Sequence, residues 1–231
     1  MRWYAEEDQM NLIRQFLLNF CLTASMLLWA GIAVTPANAA TITFNFTGTV
    51  TGVGAQLGTT TFSIGDTASG SYTFNSSTVD GVGGATIGKY NGTISNLVVN
   101  IGPYNATLGA GSNFITVRNL PTLDSYTMQA PFAGSTVNGR TPQYFAIELA
   151  DPTHTAFNND LLPTTPPDLG SFATKNFRLV FNGAGAATVS GVLTSLTAVP
   201  LPAAVILFGA GLVALVGLGA GSWRQKKNSL A

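Results

Sequence analysis

Between Thr41 and Val53 the chain reads TITFNFTGTVTGV, with Ile42, Phe44, Phe46 and Val50 on one parity and threonine or asparagine on most positions of the other. Successive side chains of an extended strand point to opposite faces, so a period of two specifies a strand with one face buried. Short runs of the same kind recur: TTFSI from Thr60, SYTFN from Ser71, TISNLVVNI from Thr93, NFITVRN from Asn113 and SYTMQA from Ser125. QYFAIEL from Gln143, NFRLVF from Asn176 and TVSGVLTSL from Thr188 complete the series. About nine strands at this spacing, separated by glycine- and asparagine-rich turns and without an amphipathic helix between them, predict an all-β domain over residues 40–198. The expected architecture is an antiparallel β-sandwich or jelly roll. The last two strands form the clearest hairpin, because Gly183-Ala184-Gly185-Ala186 between them tolerates the unusual φ of a tight connection. The segment Asp151 to Gly170, DPTHTAFNNDLLPTTPPDLG, carries four prolines and reads as a long surface loop with one helical turn. Such loops often carry function.

Charged residues make up 9% of the chain, against roughly 25% in an average globular protein, so Thr, Ser, Asn and Gly must cover the surface. Within residues 40–198 the bases are Lys89, Arg118, Arg140, Lys175 and Arg178, facing seven acids. Displacing counterions from phosphates needs a clustered basic stripe, and these bases are scattered, which sets nucleic acid aside. The one cysteine, Cys21, lies in the apolar N-terminal stretch, so the β domain has no thiol for a disulfide, a zinc site or nucleophilic catalysis.

Both termini read as processing segments. From Gln15 to Val34 the chain is mostly apolar, and Pro36-Ala37-Asn38-Ala39 follows. Residues 1–39 are therefore expected to be a secretory signal peptide, with Ala37 and Ala39 as the small residues of the cleavage site. Glu6, Glu7 and Asp8 do not suit the positive start of a signal peptide, whereas a start at Met10 leaves Arg14 as the charge. At the other end, Ala203 to Gly221 is 19 residues without a charge. As a helix it would span about 28 Å, close to the thickness of a bilayer's hydrocarbon core. Trp223 sits where interfacial aromatics sit, and the tail 224–227, with Arg224, Lys226 and Lys227, marks a cytoplasmic side. Residues 40–202 are then expected outside, anchored to the inner membrane by one span.

The span is preceded by Val199-Pro200-Leu201-Pro202-Ala203. Pro200 and Pro202 fix two φ angles and remove two backbone donors, which holds the linker extended and out of any sheet. This order (signal peptide, Ser/Thr/Asn/Gly-rich β domain, Pro-x-Pro, Gly-rich span with FGAGLVALVGLGA, then WRQKK) resembles the PEP-CTERM proteins, in the variant whose motif reads V-P-L-P-A. The phrase FSIGDTASGSYTF from Phe62 to Phe74 is also similar to the β-rich ectodomains of that family. Leu201 stands where the commonest form of the motif has glutamate. The resemblance covers the last 30 residues or so, residues 199–227, and implies an exosortase as partner. This membrane-embedded, transpeptidase-like protease of exopolysaccharide-making diderm bacteria would cut near Pro200 to Ala203 and release the domain to the cell surface or matrix. Gly217 and Gly221 form a G-x-x-x-G pair that suits either a docking face for that enzyme or ordinary helix packing.

The chemistry within the domain is sparse. His154, the sole histidine, lies beside Asp151, yet no G-x-S-x-G elbow accompanies the pair. Glu148 is the domain's only glutamate and alternates with Ile147 and Leu149, as an outward-facing strand residue would, whereas a glycosidase needs two carboxylates. Asp151, Asp160 and Asp168, with Asn158 and Asn159, gather hard oxygens in one loop without an EF-hand spacing, so a calcium site and a solvated polar loop both stay open. The glycine runs at Gly81 and Gly183 read as turns, since no Lys-Ser/Thr follows. The sequons at Asn45, Asn75, Asn91 and Asn105 match what an Asn/Thr-rich chain produces by chance. The reading assigns no catalytic, cofactor or metal residue and expects a non-catalytic surface or extracellular-matrix protein associated with exopolysaccharide. A carbohydrate-binding module or adhesin, with Tyr90, Tyr104 or Tyr126 as a stacking platform, is the alternative. A secreted hydrolase comes third.

Overall fold

The computed structural model describes residues 41–183 and 187–199. The expected signal peptide with Ala37 and Ala39, the motif residues Pro200, Leu201, Pro202 and Ala203, the expected span, and Arg224, Lys226 and Lys227 lie outside the described residues. Ten strands account for most of the described chain: β1 Thr41–Val53, β2 Thr67–Asn75, β3 Ile87–Asn91, β4 Ile94–Ile101, β5 Tyr104–Leu108, β6 Phe114–Leu120, β7 Leu123–Gly134, β8 Pro142–Asp151, β9 Thr174–Phe181 and β10 Thr188–Ala198. The helical content is two single 3-10 turns, Ala55–Leu57 and Leu169–Ser171. Among the described residues no helix is long and apolar enough to cross a membrane.

Every strand pairing is antiparallel. Eight strands, β1-β2-β4-β5-β7-β8-β9-β10, follow one another around the sheet in chain order, and the first pairs with the last. The result is a closed up-and-down barrel, in place of the two separate sheets expected of a sandwich or jelly roll. Closure depends on two ladders between distant segments: β1 with β10, from Phe44↔Ala198 to Val53↔Val189, and the short β5–β7 ladder at Ala106↔Gly134, Thr107↔Ala133 and Leu108↔Phe132. Strand patterning dictates which residues face inward but not which edges meet, so both architectures satisfy it. Register shifts at Thr47/Gly48 and Val50/Gly52 break the β1–β10 ladder twice, and such bulges bend strands as closure requires.

The remaining strands, β3 and β6, are insertions. β3 lies in the crossing from β2 to β4, β6 in that from β5 to β7, and they pair with each other while β6 also pairs with the first half of β7. Antiparallel alternation then gives the barrel two unlike ends. At one, the connections 54–66, 102–103, 135–141 and 182–187 join successive strands. At the other, the chain enters at Thr41 and leaves after Ala198, and the long connections β2 to β4, β5 to β7 and β8 to β9 gather there. We call these the far end and the exit end.

The interior is filled. Phe44, Phe46 and Val50 of β1 point inward, with Tyr72 and Phe74 of β2, Phe145 and Ile147 of β8, and Phe177, Leu179 and Phe181 of β9. Phe46 stacks on Phe145 at 5.2 Å between ring centres, and Phe44 meets Tyr72 and Phe74 edge-on at 5.7 and 5.2 Å. Each such ring withdrawn from water contributes about 1.5–3 kcal/mol before the entropy of ordering it. The glycines of β1 and β10 leave the room: a Cβ on Gly48 would lie 2.9 Å from the Phe177 ring, and one on Gly191 would overlap it. Outside, the alternate positions of β1 are Asn45, Thr47 and Thr49, all exposed. Hydroxyl pairs Thr43–Thr73 and Thr47–Thr194, at 2.9 and 3.0 Å, run across its neighbours. This apolar-in, polar-out pattern is the inverse of an outer-membrane barrel's.

Candidate functional site

The Val199-Pro200-Leu201-Pro202-Ala203 segment begins at the end of the last strand. β10 ends at Ala198, and the N–H of Val199 still donates to the Thr43 carbonyl at 3.0 Å, prolonging the β1 ladder by one bond. The next residue is Pro200, which has no N–H to donate and lies outside the described residues. Val199 is partly exposed and is the only residue of the motif among those described.

The long connection 152–173 covers the exit end. Its first turn is built on Asp151, the last residue of β8. One carboxylate oxygen accepts from the N–H and hydroxyl of Thr153, at 2.8 and 2.6 Å; the other accepts from the Thr155 N–H and hydroxyl and from the Ala156 N–H. Those bonds, the Thr153 hydroxyl foremost, hold the carboxyl well below its ordinary range. Nothing of the carboxylate is left over to orient His154, whose side chain is exposed and whose φ is +47°. The pair is therefore a turn, not a catalytic dyad. Directly across the ladder from Asp151 stands Asp124 at the start of β7, fully buried, with one oxygen accepting from the Phe157 N–H at 2.8 Å. Asp160 turns its backbone carbonyl to the Tyr90 hydroxyl at 3.0 Å, which ties the loop to β3. Asp168 caps the second 3-10 turn through the Gly170 N–H. Asp151 and Asp168 thus spend their carboxylates at separate turns, while one buried carboxylate oxygen of Asp160 has no hydrogen-bond partner. Among the described residues no three acidic, histidine or cysteine side chains converge on a common centre.

Glu148 faces outward, as its alternation with Ile147 and Leu149 requires, and is ion-paired with Arg178 on the neighbouring strand; both are about one-third exposed. The tyrosines go the other way. Tyr90 and Tyr104 are nearly buried, and Tyr126 is entirely so, its hydroxyl bonded to that of Tyr72 at 2.9 Å inside the barrel. Burial pushes Tyr104 up to about 12 and also raises Tyr72 and Tyr126 well above the ordinary phenol value. None of the three offers a ring face for a sugar to stack on.

Two clefts open at the far end. One, of about 330 Å³, lies between Thr60, Thr61, Asn105, Ser135 and Thr136, with the edge of Tyr104 as its floor. The other, of about 520 Å³, is more apolar and is lined by Val53, Ala55, Phe62 and Ile64. Between them Phe62 plugs the barrel mouth, 5.1 Å from the Tyr104 ring and 6.0 Å from that of Phe181. The alternation of Thr60 to Ile64 predicts a strand, but the segment is a loop: the Ser63 N–H turns back to the Asp66 carboxylate, and Gly65 takes φ +95°. Its alternation serves only to drop Phe62 inward. No protein-family model, curated protein or solved structure matches this chain.

Proposed function

We propose that this is a non-catalytic surface or matrix protein, exported, held briefly by its C-terminal span, and cut near Pro200 to Ala203 by an exosortase. The observation that carries the reading is the coincidence of the last backbone hydrogen bond among the described residues, Val199 to Thr43, with the first residue of the motif. A sorting protease needs an extended substrate free of any sheet, and a Pro-x-Pro linker directly after a finished barrel supplies one. The exterior, dominated by Thr, Ser and Asn with few charges, suits residence among hydrated exopolysaccharide chains. The test is mass spectrometry of the protein from an exopolysaccharide-making host with and without its sorting enzyme. The expected mature form ends between Val199 and Ala203 only when the enzyme is present. A mature chain that retains Trp223 in both strains overturns the reading.

A carbohydrate-binding role is favoured by one observation, the neutral hydroxyl and amide lining of the Thr60–Asn105–Ser135 cleft, whose donors and acceptors match sugar hydroxyls. Calorimetry against host exopolysaccharide, repeated with Asn105→Ala and Thr136→Ala, separates this role from a passive one.

A further inference from the structure

Large apolar side chains exposed on the barrel are few, and their placement is uneven. Val79 and Val82, in the β2–β3 connection, and Leu161, in the β8–β9 connection, belong to the exit end, as does Val199; Ile64 alone belongs to the far end, and Val192 to the wall. Val79 and Leu161 are 84% and 65% exposed. The two connections that carry them meet on β3. The Gly81 N–H donates to the Lys89 carbonyl, the Asp80 carboxylate accepts from the Lys89 N–H, and one residue further along the strand the Tyr90 hydroxyl holds Asp160. Val79, Val82 and Leu161 are thereby fastened to one short strand and do not project from free loops. The charges nearest them are already used: Asp80 on backbone N–H groups of Val82 and Lys89, and the Lys89 ammonium over the Phe114 ring at 4.9 Å.

The chain outside the described residues says what faces this end. Three residues, Pro200 to Pro202, separate Val199 from the uncharged run that begins at Ala203. Fully extended, that tether reaches about 14 Å, and its two prolines restrict how far it can fold back. The polar interface of a bilayer is itself about 5–8 Å deep on each side. The tether leaves the barrel little room to stand off, and antiparallel topology has already fixed which end is turned toward the lipid.

Resting on the reading of Ala203–Gly221 as a span, we infer that the exit end sits on the bilayer, with Val79, Val82 and Leu161 as its contacts with a lipid surface, and that the far end with its two clefts is the one displayed. Apolar side chains at a headgroup boundary lose water that they would otherwise order. They also limit the tilting that a single tether would allow.

The full chain is suited to a test by site-directed nitroxides, because with Cys21→Ser it has no native thiol. Single cysteines at Val79, Leu161, Ile64 and Ile206 are labelled in nanodiscs of zwitterionic phospholipid, and collision rates with oxygen and with a water-soluble nickel chelate are compared. Labels at 79 and 161 are expected to meet the chelate at least threefold less often than the label at 64. Equal, fully aqueous rates at all three, with 206 shielded, overturn the docking and leave the span intact. An aqueous label at 206 overturns the span reading and the docking with it. Positions 64, 79 and 161 are exposed in the barrel, so those substitutions leave its core untouched.

Discussion

Gly191 of β10 and Phe177 of β9 lie directly opposite one another in the ladder, and the Phe177 ring rests where a Cβ on Gly191 would be. Gly48, on the other side of β10, leaves space for the same ring. One of the two inward phenylalanines of β9 is thus accommodated by the two strands that close the barrel.

Replacing Gly191 by alanine should overpack this contact and cost about 1–3 kcal/mol. Denaturant unfolding would register it as a lower midpoint with unchanged slope. Adding Phe177→Leu should recover part of the loss, because the two substitutions share one contact and cannot be additive. Simple addition of the two costs would show that the ring does not depend on the glycine.

The Tyr72–Tyr126 hydroxyl pair predicts an asymmetry. Tyr72→Phe alone strands the Tyr126 hydroxyl in an apolar interior, at a cost of about 1–3 kcal/mol, whereas the double Phe variant should lie nearer wild type. Thermal unfolding of the three variants gives the comparison. A double variant as unstable as the sum of the singles would mean the hydroxyls have partners beyond each other.

Those tyrosines also set an alkaline limit. Burial raises Tyr72, Tyr104 and Tyr126 above the unfolded value, so their contribution to stability is complete below about pH 10 and is lost as pH rises through the folded values. Phenolate absorbance near pH 11 should fall short of that of the unfolded chain until the barrel opens. A full signal before unfolding, followed by circular dichroism, would contradict burial.

Asp151 sets the acid side. Its folded value is depressed, so its stabilisation is present above the ordinary carboxylate range and fades as pH falls through the lower folded value. Asp151→Asn replaces an acceptor with a donor that faces the Thr155 and Ala156 N–H groups or their Thr153 counterparts, and should lower the unfolding temperature at pH 7. The gap from wild type should narrow below pH 3. An equal gap at both pH values would place the loss in packing and not in charge.

Much of this was legible in the residues. Eight of the alternating runs fall on strands, from β1 to β10, and Glu148 faces outward as its neighbours require. Two strands were missed: β3 and β5 have five residues each, too few for a period to stand out. Thr60 to Ile64 had the right alternation for the wrong reason, since a five-residue loop that plugs a mouth with Phe62 looks the same. Closure was invisible because it is decided between residues as distant as Phe44 and Ala198, and patterning describes faces, not edges. At the candidate site, Asp151 was noticed but its role was not, because its partners are backbone N–H groups that every residue has. Asp124 drew no notice at all; only the β7–β8 register sets it against Asp151. The three tyrosines illustrate the same limit, for an aromatic on a strand reads alike whether its face is turned to a ligand or to the core.

Because the barrel closes through its first and last strands, it cannot be completed until nearly all of its residues are available to it. β1 must wait with an open edge until β10 has followed about 135 residues later, and on the proposed reading only four residues, Val199 to Pro202, then remain before the span. On that reading export and folding would finish almost together, and the sorting protease would meet a barrel only just shut.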